Sequence, residues 1–509
     1  MNDRYLVLLA PRTPQSAVDG LARSLSATYK LQLVTVWNHI NAFLCEGSLD
    51  AAHLLANDAR VEIVEEDHRL YGPTSVGTSV ELAGGGQPED LWYLDRLDQY
   101  SWASPPRDDV YNMCPTASNT TAYVLDMAVW PSHVAFQGRP LTTIDCTRDG
   151  GNGQPMCVQR DAAESCKTGL PLEERPNGWH NKIFIEQSHG TAVASLLSGG
   201  STGAARPEIV SVNVYPCIPS TSQGPFTAAS YMAAGLNWIK ADVVARKNAG
   251  TFRPSVVNHS GFLYPWDGDS YILMNAVRDV VYQNVPYFTS ANNFSGDACG
   301  FTPASYAYTR TNKHWTRVVF SVGGMTMDGG VVTQDGRVRM TGTGDITWKI
   351  PPAVWDQGNA QQRVRDTGTN LGACVSAFAP AVHITAAAHG ILESSVADPN
   401  YYRAPWKSGT SWSSPLAAAV ALRWMATQPT NIYYTYVYDF LLNTGLKVVT
   451  AQPNAAYTIC YNPSNVNEWI YYTDPNAECF TAWGTYRMPA SDNVSDARMI
   501  YWQGNGICQ

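Results

Sequence analysis

The chain has 509 residues, 45% hydrophobic and 15% charged, with a formal net charge of -9 and a pI of about 5.6. A chain of this length builds a large core and more than one domain. Its acidic balance and its lack of a long Lys/Arg run exclude nucleic acid as an expected partner. No apolar run approaches the ~20 residues of a membrane helix, so no membrane span is expected either.

The N-terminal part of the chain has the pattern of a small α+β unit. Apolar runs predict strands at residues 4–10, 31–46 and 60–65, and residues 15–29 and 48–57 have the pattern of helices. A Gly- and Ser-rich segment at residues 72–86 follows this unit. Because the composition changes sharply there, we place a domain boundary in that segment.

Beyond residue 91 the pattern changes to strands that alternate with helices. Strands are predicted at residues 122–126, 209–215, 255–260, 285–291 and 317–322, and helices after Ser188 and near residues 227–246, 270–283 and 429–446. This alternation predicts an α/β layered fold with a mostly parallel sheet, in which ligands bind at the carboxyl ends of the strands. Asp126, Ser260 and Asn292 lie at or just past such ends, so we expect them to lie close together.

Ser411 lies where a loop becomes a helix. It belongs to the segment Gly-Thr-Ser-Trp-Ser-Ser-Pro at residues 409–415, and the alanine-rich run that follows predicts a buried helix. The free backbone N–H groups and the positive dipole end of such a helix stabilise negative charge on a substrate oxygen. A serine in this place is either a helix cap or a nucleophile, and a nucleophile needs a base from elsewhere in the chain.

Asp126, His189 and Ser411 follow one another along the chain in the order found in subtilisin. The residues around them resemble the subtilisin-like (subtilase) family, of the proteinase K type. Residues 122–126 resemble the aspartate segment of that family, His-Gly-Thr at 189–191 its histidine motif, and Gly-Thr-Ser at 409–411 with Pro415 its serine motif. Residues 256–260 and 290–293 resemble its substrate-wall and oxyanion segments, and residues 1–70 resemble its inhibitory prodomain less specifically.

The resemblance implies an α/β, three-layer subtilisin-like fold with a mostly parallel central sheet, preceded by a small α+β prodomain. The implied organisation is a prodomain at residues 1–71, a linker with the processing site at 72–90, a catalytic domain at 91–446 with an insertion at about 325–366, and a Cys/Tyr-rich extension at 447–509.

The activity that the resemblance implies is that of a serine endopeptidase on protein or peptide substrates, made as a self-processing precursor with its own prodomain as intramolecular inhibitor. Ser411 is the expected nucleophile and His189 its general base. Asp126 is expected to hold the histidine tautomer, and Asn292 to donate to the oxyanion. The expected substrate-binding residues are Ser260, Gly261, Phe262, Ser290 and Ala291, and Phe262 favours an apolar first pocket.

Several positions depart from the family pattern. Met127 and Ala128 follow the aspartate, where the family has a small hydroxyl residue and Gly, and Ala291 stands in place of a Gly. Trp412-Ser413 replaces the usual Met-Ala after the nucleophile. These departures support a second hypothesis, a catalytically degenerate subtilase-fold protein that acts as a binding or regulatory module. Metalloprotease chemistry is disfavoured because the sequence has no His-Glu-x-x-His motif.

Cysteines and glycosylation sequons favour an oxidising, secreted setting. The eleven cysteines form no Cys-x-x-Cys pair, and Asn-x-Ser/Thr sequons begin at residues 119, 258, 293 and 493. No signal peptide is recognisable at the start of the chain. No cofactor is expected; the calcium-binding aspartate of proteinase K-like relatives corresponds to Ser376, so a structural calcium is given no specific site.

Overall fold

The structure is a computed structural model of the chain. It describes residues 4–67 and 69–71; 91–147 without 92, 95–96, 98–110 and 112; 156–160; 189–216 without 201; 226–261; 270–325 without 294–296 and 312–313; 369–381 without 371; 384–387; 409–447 without 445; and short strand segments between 331 and 499. The link at 72–86, the proposed processing region at 72–90, Phe262 and most of the insertion at 325–366 lie outside these residues.

The N-terminal unit is an antiparallel sheet with two helices on one face, and its strand order is β2-β3-β1-β4. Its elements are β1 (Arg4–Leu9), α1 (Val18–Thr28), β2 (Gln32–Trp37), β3 (Ala42–Glu46), α2 (Leu49–Ala56) and β4 (Val61–Glu66). The predicted helix at 15–29 begins instead with a short 3-10 turn, Gln15–Ala17.

Both faces of this small sheet are buried, which explains the unbroken apolar run of β1. Tyr5, Val7 and Leu9 pack with α1 and α2 in a core of the unit's own. Leu6 and Leu8 point to the opposite face, where they join the core of the rest of the chain. The N-terminal unit therefore shares a hydrophobic core with the remainder of the protein.

The remainder of the chain contains one large sheet, several small ones and five further helices among the described residues. The helices are α3 (His189–Ser198), α4 (Ala229–Asn248), α5 (Tyr271–Val281), α6 (Thr410–Met425) and α7 (Tyr434–Thr444). The strands up to the middle of the chain are β5 (Arg69–Tyr71), β6 (Thr121–Asp126), β7 (Leu141–Asp145), β8 (Val158–Gln159), β9 (Glu208–Asn213), β10 (Phe226–Ala228), β11 (Ser255–His259), β12 (Tyr287–Ser290), β13 (Thr309–Thr311), β14 (His314–Thr316) and β15 (Phe320–Met325).

The later strands are short and include those of the C-terminal extension. They are β16 (Val331–Val332), β17 (Val338–Arg339), β18 (Ala377–Pro380), β19 (Ala386–Ala387), β20 (Gly390–Ile391), β21 (Ala397–Asp398), β22 (Tyr402–Arg403), β23 (Leu446–Lys447), β24 (Thr458–Tyr461), β25 (Trp469–Tyr472), β26 (Gly484–Arg487) and β27 (Arg498–Met499). Strands β24 to β26 form a separate antiparallel sheet, whereas β23 and β27 join the edge of the large one.

The large sheet has the order β23-β27-β18-β15-β12-β11-β6-β9-β7-β8, and its strands from β27 to β7 pair in parallel. One face packs against α3, α6 and α7 and the other against α4 and α5, each with its own hydrophobic core. The predicted three-layer α/β fold with a mostly parallel sheet is confirmed. The carboxyl ends of β6, β11 and β12 are neighbours, so Asp126, Ser260 and Asn292 lie at one edge of the sheet.

Two element boundaries differ from the sequence pattern because of long-range pairing. The helix predicted at 227–246 begins at Ala229, because residues 226–228 form β10, which pairs antiparallel with β5 of the N-terminal part. The strand predicted at 317–322 runs from Phe320 to Met325, where it pairs with β12 and β18.

Two disulfide bonds join described residues, Cys146–Cys157 and Cys299–Cys374, and Cys114 is also disulfide-bonded. Cys45 is a free, buried thiol in β3, and burial raises its pKa to about 12. Among the described helices none is long and apolar enough to cross a bilayer. The same part of the chain contains no group of three or more His, Cys, Asp or Glu side chains arranged to hold a metal ion.

Candidate active site

Asp126 and His189 form a buried hydrogen-bonded pair. Asp126 is the last residue of β6 and His189 the first of α3, and each is only 1% exposed. His189 Nδ1 lies 2.8 Å from Asp126 Oδ1, which also accepts a hydrogen bond of 2.7 Å from the backbone N–H of Met127. Because a carboxylate only accepts, Nδ1 carries the proton and Nε2 is left as the basic nitrogen of the neutral ring.

Gly190 allows this pair to form. A Cβ on Gly190 would lie 2.0 Å from the carbonyl oxygen of Met127, well inside van der Waals contact. Only glycine therefore permits the start of α3 to approach the loop after β6 this closely.

Ser411 is the second residue of α6, at the edge of the sheet where β11 ends. Its side chain is 6% exposed, and its Oγ donates a long hydrogen bond of 3.4 Å to the carbonyl oxygen of Ser260. His189 Nε2 is buried without a hydrogen-bond partner among the described residues. The ring of Trp412, the residue after Ser411, lies 5.2 Å from the His189 ring, so the structure brings Ser411 and His189 into one region. Ser411 and His189 are not hydrogen-bonded to each other, since His189 Nε2 has no partner among the described residues.

The start of α6 is fixed by residues from two other segments. Its N-cap residue, Gly409, has no side chain, and Asn293 supplies the cap instead: its Oδ1 accepts from Thr410 N at 2.8 Å and from Thr410 Oγ1 at 3.0 Å. Pro415 lacks the N–H that would bond the carbonyl of Ser411, and Ser260 Oγ donates to that carbonyl at 3.0 Å. Sequence analysis missed both contacts, because neither residue is near α6 in the chain.

Asn292 combines a left-handed backbone with a buried side-chain amide that has no partner among the described residues. It has φ of 77° in the left-handed region, which Asn adopts more readily than most residues, and its side chain is 1% exposed. Its carbonyl accepts from Asn370 N at 2.8 Å, while its Nδ2 has no partner among the described residues. A buried amide N–H without a partner is costly unless a ligand completes it.

The other predicted substrate-binding residues surround this edge. Ser290 and Ala291 are buried before Asn292, and the positive φ falls on Asn292, not on Ala291. Gly261 lies in a tight place, because a Cβ there would meet Tyr215 Oη at 2.2 Å and His259 Nε2 at 2.6 Å. The roles of these residues in substrate binding stay predictions.

His259 is a residue of this region to which the sequence analysis gave no role. It ends β11, is 3% exposed, and both its ring nitrogens lack a partner in the described part of the chain. Burial lowers the pKa of its imidazole to about 4, the Asp126 carboxylate opposes that shift, and the nearby His189 adds to it. A buried imidazole in this state is neutral at physiological pH.

The sequon at Asn258 is closed to glycosylation in the folded chain. Asn258 is fully buried in β11, where its Nδ2 donates to Ser260 Oγ at 3.3 Å and its Oδ1 accepts from Ser414 Oγ at 2.7 Å. No space remains at this amide for a bulky glycan.

The N-terminal unit contacts the rest of the chain through two carboxylates at helix N-termini. Glu65 accepts from Tyr271 N at 2.9 Å, Ile272 N at 3.3 Å and Ser270 Oγ at 2.8 Å, at the start of α5. Asp67 accepts from the N–H and the hydroxyl of Ser230 at 2.9 and 2.7 Å, at the start of α4. Both carboxylates satisfy free N–H groups and complement the positive end of a helix dipole.

Comparison with known proteins finds similar chains that are named as proteases. The sequence matches no family model. It is 29% identical over 320 residues to alkaline serine exoprotease A of Vibrio alginolyticus, covering 60% of this chain and 48% of that protein. It is 24% identical over 316 residues to subtilisin-like protease 3 of Pseudogymnoascus destructans, covering 61% and 63%. An extracellular serine proteinase of a Thermus species is 27% identical over 250 residues, covering 49% and 46%.

The chain thus spans about half to two thirds of the length of these relatives. Among solved structures, fervidolysin from Fervidobacterium pennivorans, described as a keratinolytic enzyme related to subtilisin, has 17% identity and a TM-score of 0.52, covering 88% of this chain and 57% of that one. That likeness is one of fold. The relatives that the chain matches are named as serine proteases and a subtilisin-like protease, and its fold is similar to that of an enzyme related to subtilisin.

Proposed function

We propose that the protein is a subtilisin-type serine endopeptidase that uses Ser411, His189 and Asp126. The observation that carries the proposal is the buried Asp126–His189 pair, at 2.8 Å, beside the N-terminal turn of α6 on which Ser411 lies. The names of the relatives, two serine proteases and a subtilisin-like protease, support the same reaction.

In the proposed reaction Ser411 Oγ attacks the carbonyl carbon of the scissile peptide bond and gives its proton to His189 Nε2. His189 then passes that proton to the leaving amine as the C–N bond breaks, and an acyl ester on Ser411 remains. Water attacks the ester, again with His189 as base, and releases the acid and free Ser411. Asp126 stabilises the imidazolium that forms in each half of the reaction.

Ser411 Oγ has to turn from the Ser260 carbonyl to His189 Nε2 for this reaction. The 3.4 Å contact with Ser260 is long for a hydroxyl donor, so little energy holds the hydroxyl there. Catalytic hydrogen bonds are often loose without substrate and tighten when it binds. The oxyanion would be stabilised by Asn292 Nδ2, which has no partner among the described residues, and by the Ser411 N–H at the start of α6.

The test is labelling with a fluorophosphonate, followed by intact mass and peptide mapping. The purified protein is expected to gain one label on Ser411, and Ser411→Ala and His189→Ala none. Cleavage of an internal bond in casein or in a peptide blocked at both ends distinguishes an endopeptidase from an exopeptidase. A protein that folds but takes no label, and cleaves neither substrate, is the degenerate binding or regulatory module.

We further propose that residues 1–71 act as an intramolecular inhibitor that is cut off within residues 72–90. The support is the shared hydrophobic core, the two helix-capping carboxylates Glu65 and Asp67, and the antiparallel pairing of β5 with β10. Intact mass tests this: the wild-type chain is expected to become shorter at its N-terminus, and Ser411→Ala to stay uncut. Processing of the Ser411→Ala chain in isolation would contradict the proposal.

An extracellular location is the setting we propose for this activity. The disulfides Cys146–Cys157 and Cys299–Cys374 need an oxidising compartment to persist, and one relative is named as extracellular. Intact mass with and without reduction and alkylation counts the oxidised thiols. Fully reduced cysteines in the protein isolated from its natural source would contradict this location.

A further inference from the structure

Trp412 places its indole against the imidazole of His189. The two ring centroids are 5.2 Å apart and the ring planes are inclined by 34°. Trp412 is 4% exposed and His189 1%, so water is excluded from this contact. The backbone of Trp412 is fixed in the first turn of α6, where its N–H donates to the carbonyl of Gly409 at 3.1 Å.

This contact completes the surroundings of the His189 ring. Nδ1 is held by Asp126 of β6, the indole lies beside the ring, and Nε2 is unpartnered among the described residues. The other titratable groups nearby are His259 at the end of β11, which is neutral above about pH 4, and Tyr215 after β9, whose pKa burial raises well above its ordinary value. Above that pH, neither of them carries a positive charge that would oppose protonation of His189.

An aromatic face stabilises a cation within about 6 Å of its centroid, most strongly when the ring is that of Trp and the pair is desolvated. His189 becomes a cation only when it has taken a proton. The indole therefore interacts more strongly with the protonated ring than with the neutral one. Such a difference contributes to a rate only if the charged form appears along the reaction, as it does in the function proposed above.

We propose that Trp412 is a positioning residue that stabilises the imidazolium form of His189 and holds its ring in line with Asp126. The inference rests on the proposed function for its role in catalysis. It also explains what the replacement of the family's Met-Ala by Trp412-Ser413 does in this chain. A residue that merely fills space would only desolvate the imidazolium, so its removal would raise the titration midpoint of His189 and not lower it.

The test is NMR titration of His189 in the full chain carrying Ser411→Ala, which prevents self-digestion. The His189 signal is assigned by its absence in His189→Gln. With Trp412→Leu the titration midpoint is expected to fall by about half a unit to one unit, because the imidazolium loses its aromatic face. Trp412→Phe keeps a weaker aromatic face and is expected to lie between Leu and the parent.

Trp424→Leu is the matched control. Trp424 lies near the other end of α6 and stacks on Phe440, with centroids 4.3 Å apart and planes inclined by 7°. The same substitution there removes an aromatic contact from the same helix, and the His189 midpoint is expected to stay at the parent value. Should Trp412→Leu fail to fold, Trp412→Met takes its place, because its flexible side chain fills the gap without a ring.

The inference is overturned if the His189 midpoint in Trp412→Leu, or in Trp412→Met where only that variant folds, equals or exceeds that of the parent. It is also overturned if the midpoint falls as far in Trp424→Leu as in the Trp412 variant. The readout needs no hydrolysis, so it is independent of the fluorophosphonate test. Labelling of Ser411 without a midpoint shift rejects the role of Trp412 and keeps the protease. A midpoint shift without labelling supports the contact and rejects the proposed reaction.

Discussion

Ser260 Oγ donates a hydrogen bond of 3.0 Å to the carbonyl oxygen of Ser411. In an unbroken helix that carbonyl would accept from the residue four positions later, which here is Pro415 and has no N–H. The proline thus frees a buried carbonyl in the first turn of α6, and the end of β11 supplies the donor. This relationship ties the proposed nucleophile to the edge of the sheet.

Because Ser260 supplies to the Ser411 carbonyl the donor that Pro415 lacks, substitutions of Ser260 and Pro415 are predicted to have non-additive effects on stability. Ser260→Ala is expected to lower the free energy of unfolding by about 1–3 kcal/mol, because it leaves a buried carbonyl without a donor. Pro415→Ala adds an N–H that bonds the same carbonyl, so the double variant is expected to be less destabilised than Ser260→Ala alone. Urea unfolding in the Ser411→Ala background measures this cycle. Strictly additive values would show that the two residues do not share the Ser411 carbonyl.

The side-chain amide of Asn292, whose Nδ2 lacks a partner within the described part of the chain, predicts a loss of turnover when it is removed. Asn292→Ala is expected to lower kcat about 100- to 1000-fold with little change in KM, because an oxyanion donor acts mainly in the transition state. Active enzyme and a chromogenic peptide give both constants. Asn292→Gly is the control for the backbone, since it removes the amide and keeps the positive φ without strain. Equal losses in both variants assign the effect to the amide, and wild-type turnover in Asn292→Gly would contradict the donor role.

His259 predicts a loss of stability in acid. Burial lowers the pKa of its imidazole from the ordinary 6.5 to about 4. Between these pH values the ring therefore binds a proton in the unfolded chain and not in the native chain. The free energy of unfolding is therefore expected to fall as the pH drops from about 6.5 to about 4, by about 3 kcal/mol from this group. In His259→Met this part of the decline is expected to disappear.

Urea unfolding of the Ser411→Ala chain at several pH values between 7 and 4 measures the effect of His259. His53→Asn, at an exposed position of α2, is the control and is expected to follow the parent curve. The same acid dependence in His259→Met as in the parent would show that the ring is protonated or bonded in the native chain.

Glu65 and Asp67, the two capping carboxylates, are predicted to stabilise the attachment of the N-terminal unit to the rest of the chain. Glu65→Gln and Asp67→Asn each weaken hydrogen bonds at a helix N-terminus, so each is expected to cost about 1–2 kcal/mol in attachment of the unit. Hydrogen exchange of the β1 and β3 amides in the uncut Ser411→Ala chain is expected to become about five- to thirtyfold faster. Glu62→Gln is the control on the same strand, because the hydrogen bond that Glu62 accepts among the described residues comes from the Tyr271 hydroxyl, at 3.1 Å, and not from a helix N–H. Exchange that is unaffected in both capping variants would exclude this mode of attachment.

The hydrophobic periodicity of the sequence was sufficient to predict the fold and to identify the residues that lie at the edge of the sheet. Alternating apolar strands and helices predicted the parallel sheet, and the strand ends placed Asp126, Ser260 and Asn292 together, as the pairing of β6, β11 and β12 shows. The Asn293 cap on Thr410 and the bond from Ser260 to Ser411 were not predictable. Each joins residues more than a hundred positions apart, and no local pattern specifies such a pair.

By itself the sequence determined which segments become strands and helices and which polar side chains stand at their ends, because burial and backbone propensity act on neighbouring residues. Only the tertiary structure decided what those side chains touch. The contact of Trp412 with His189, the lack of hydrogen-bond partners for the His259 ring among the described residues and the closure of Asn258 to a glycan all depend on how separate elements pack. Packing distances of a few ångströms set these interactions, and they exist only once the whole chain has folded.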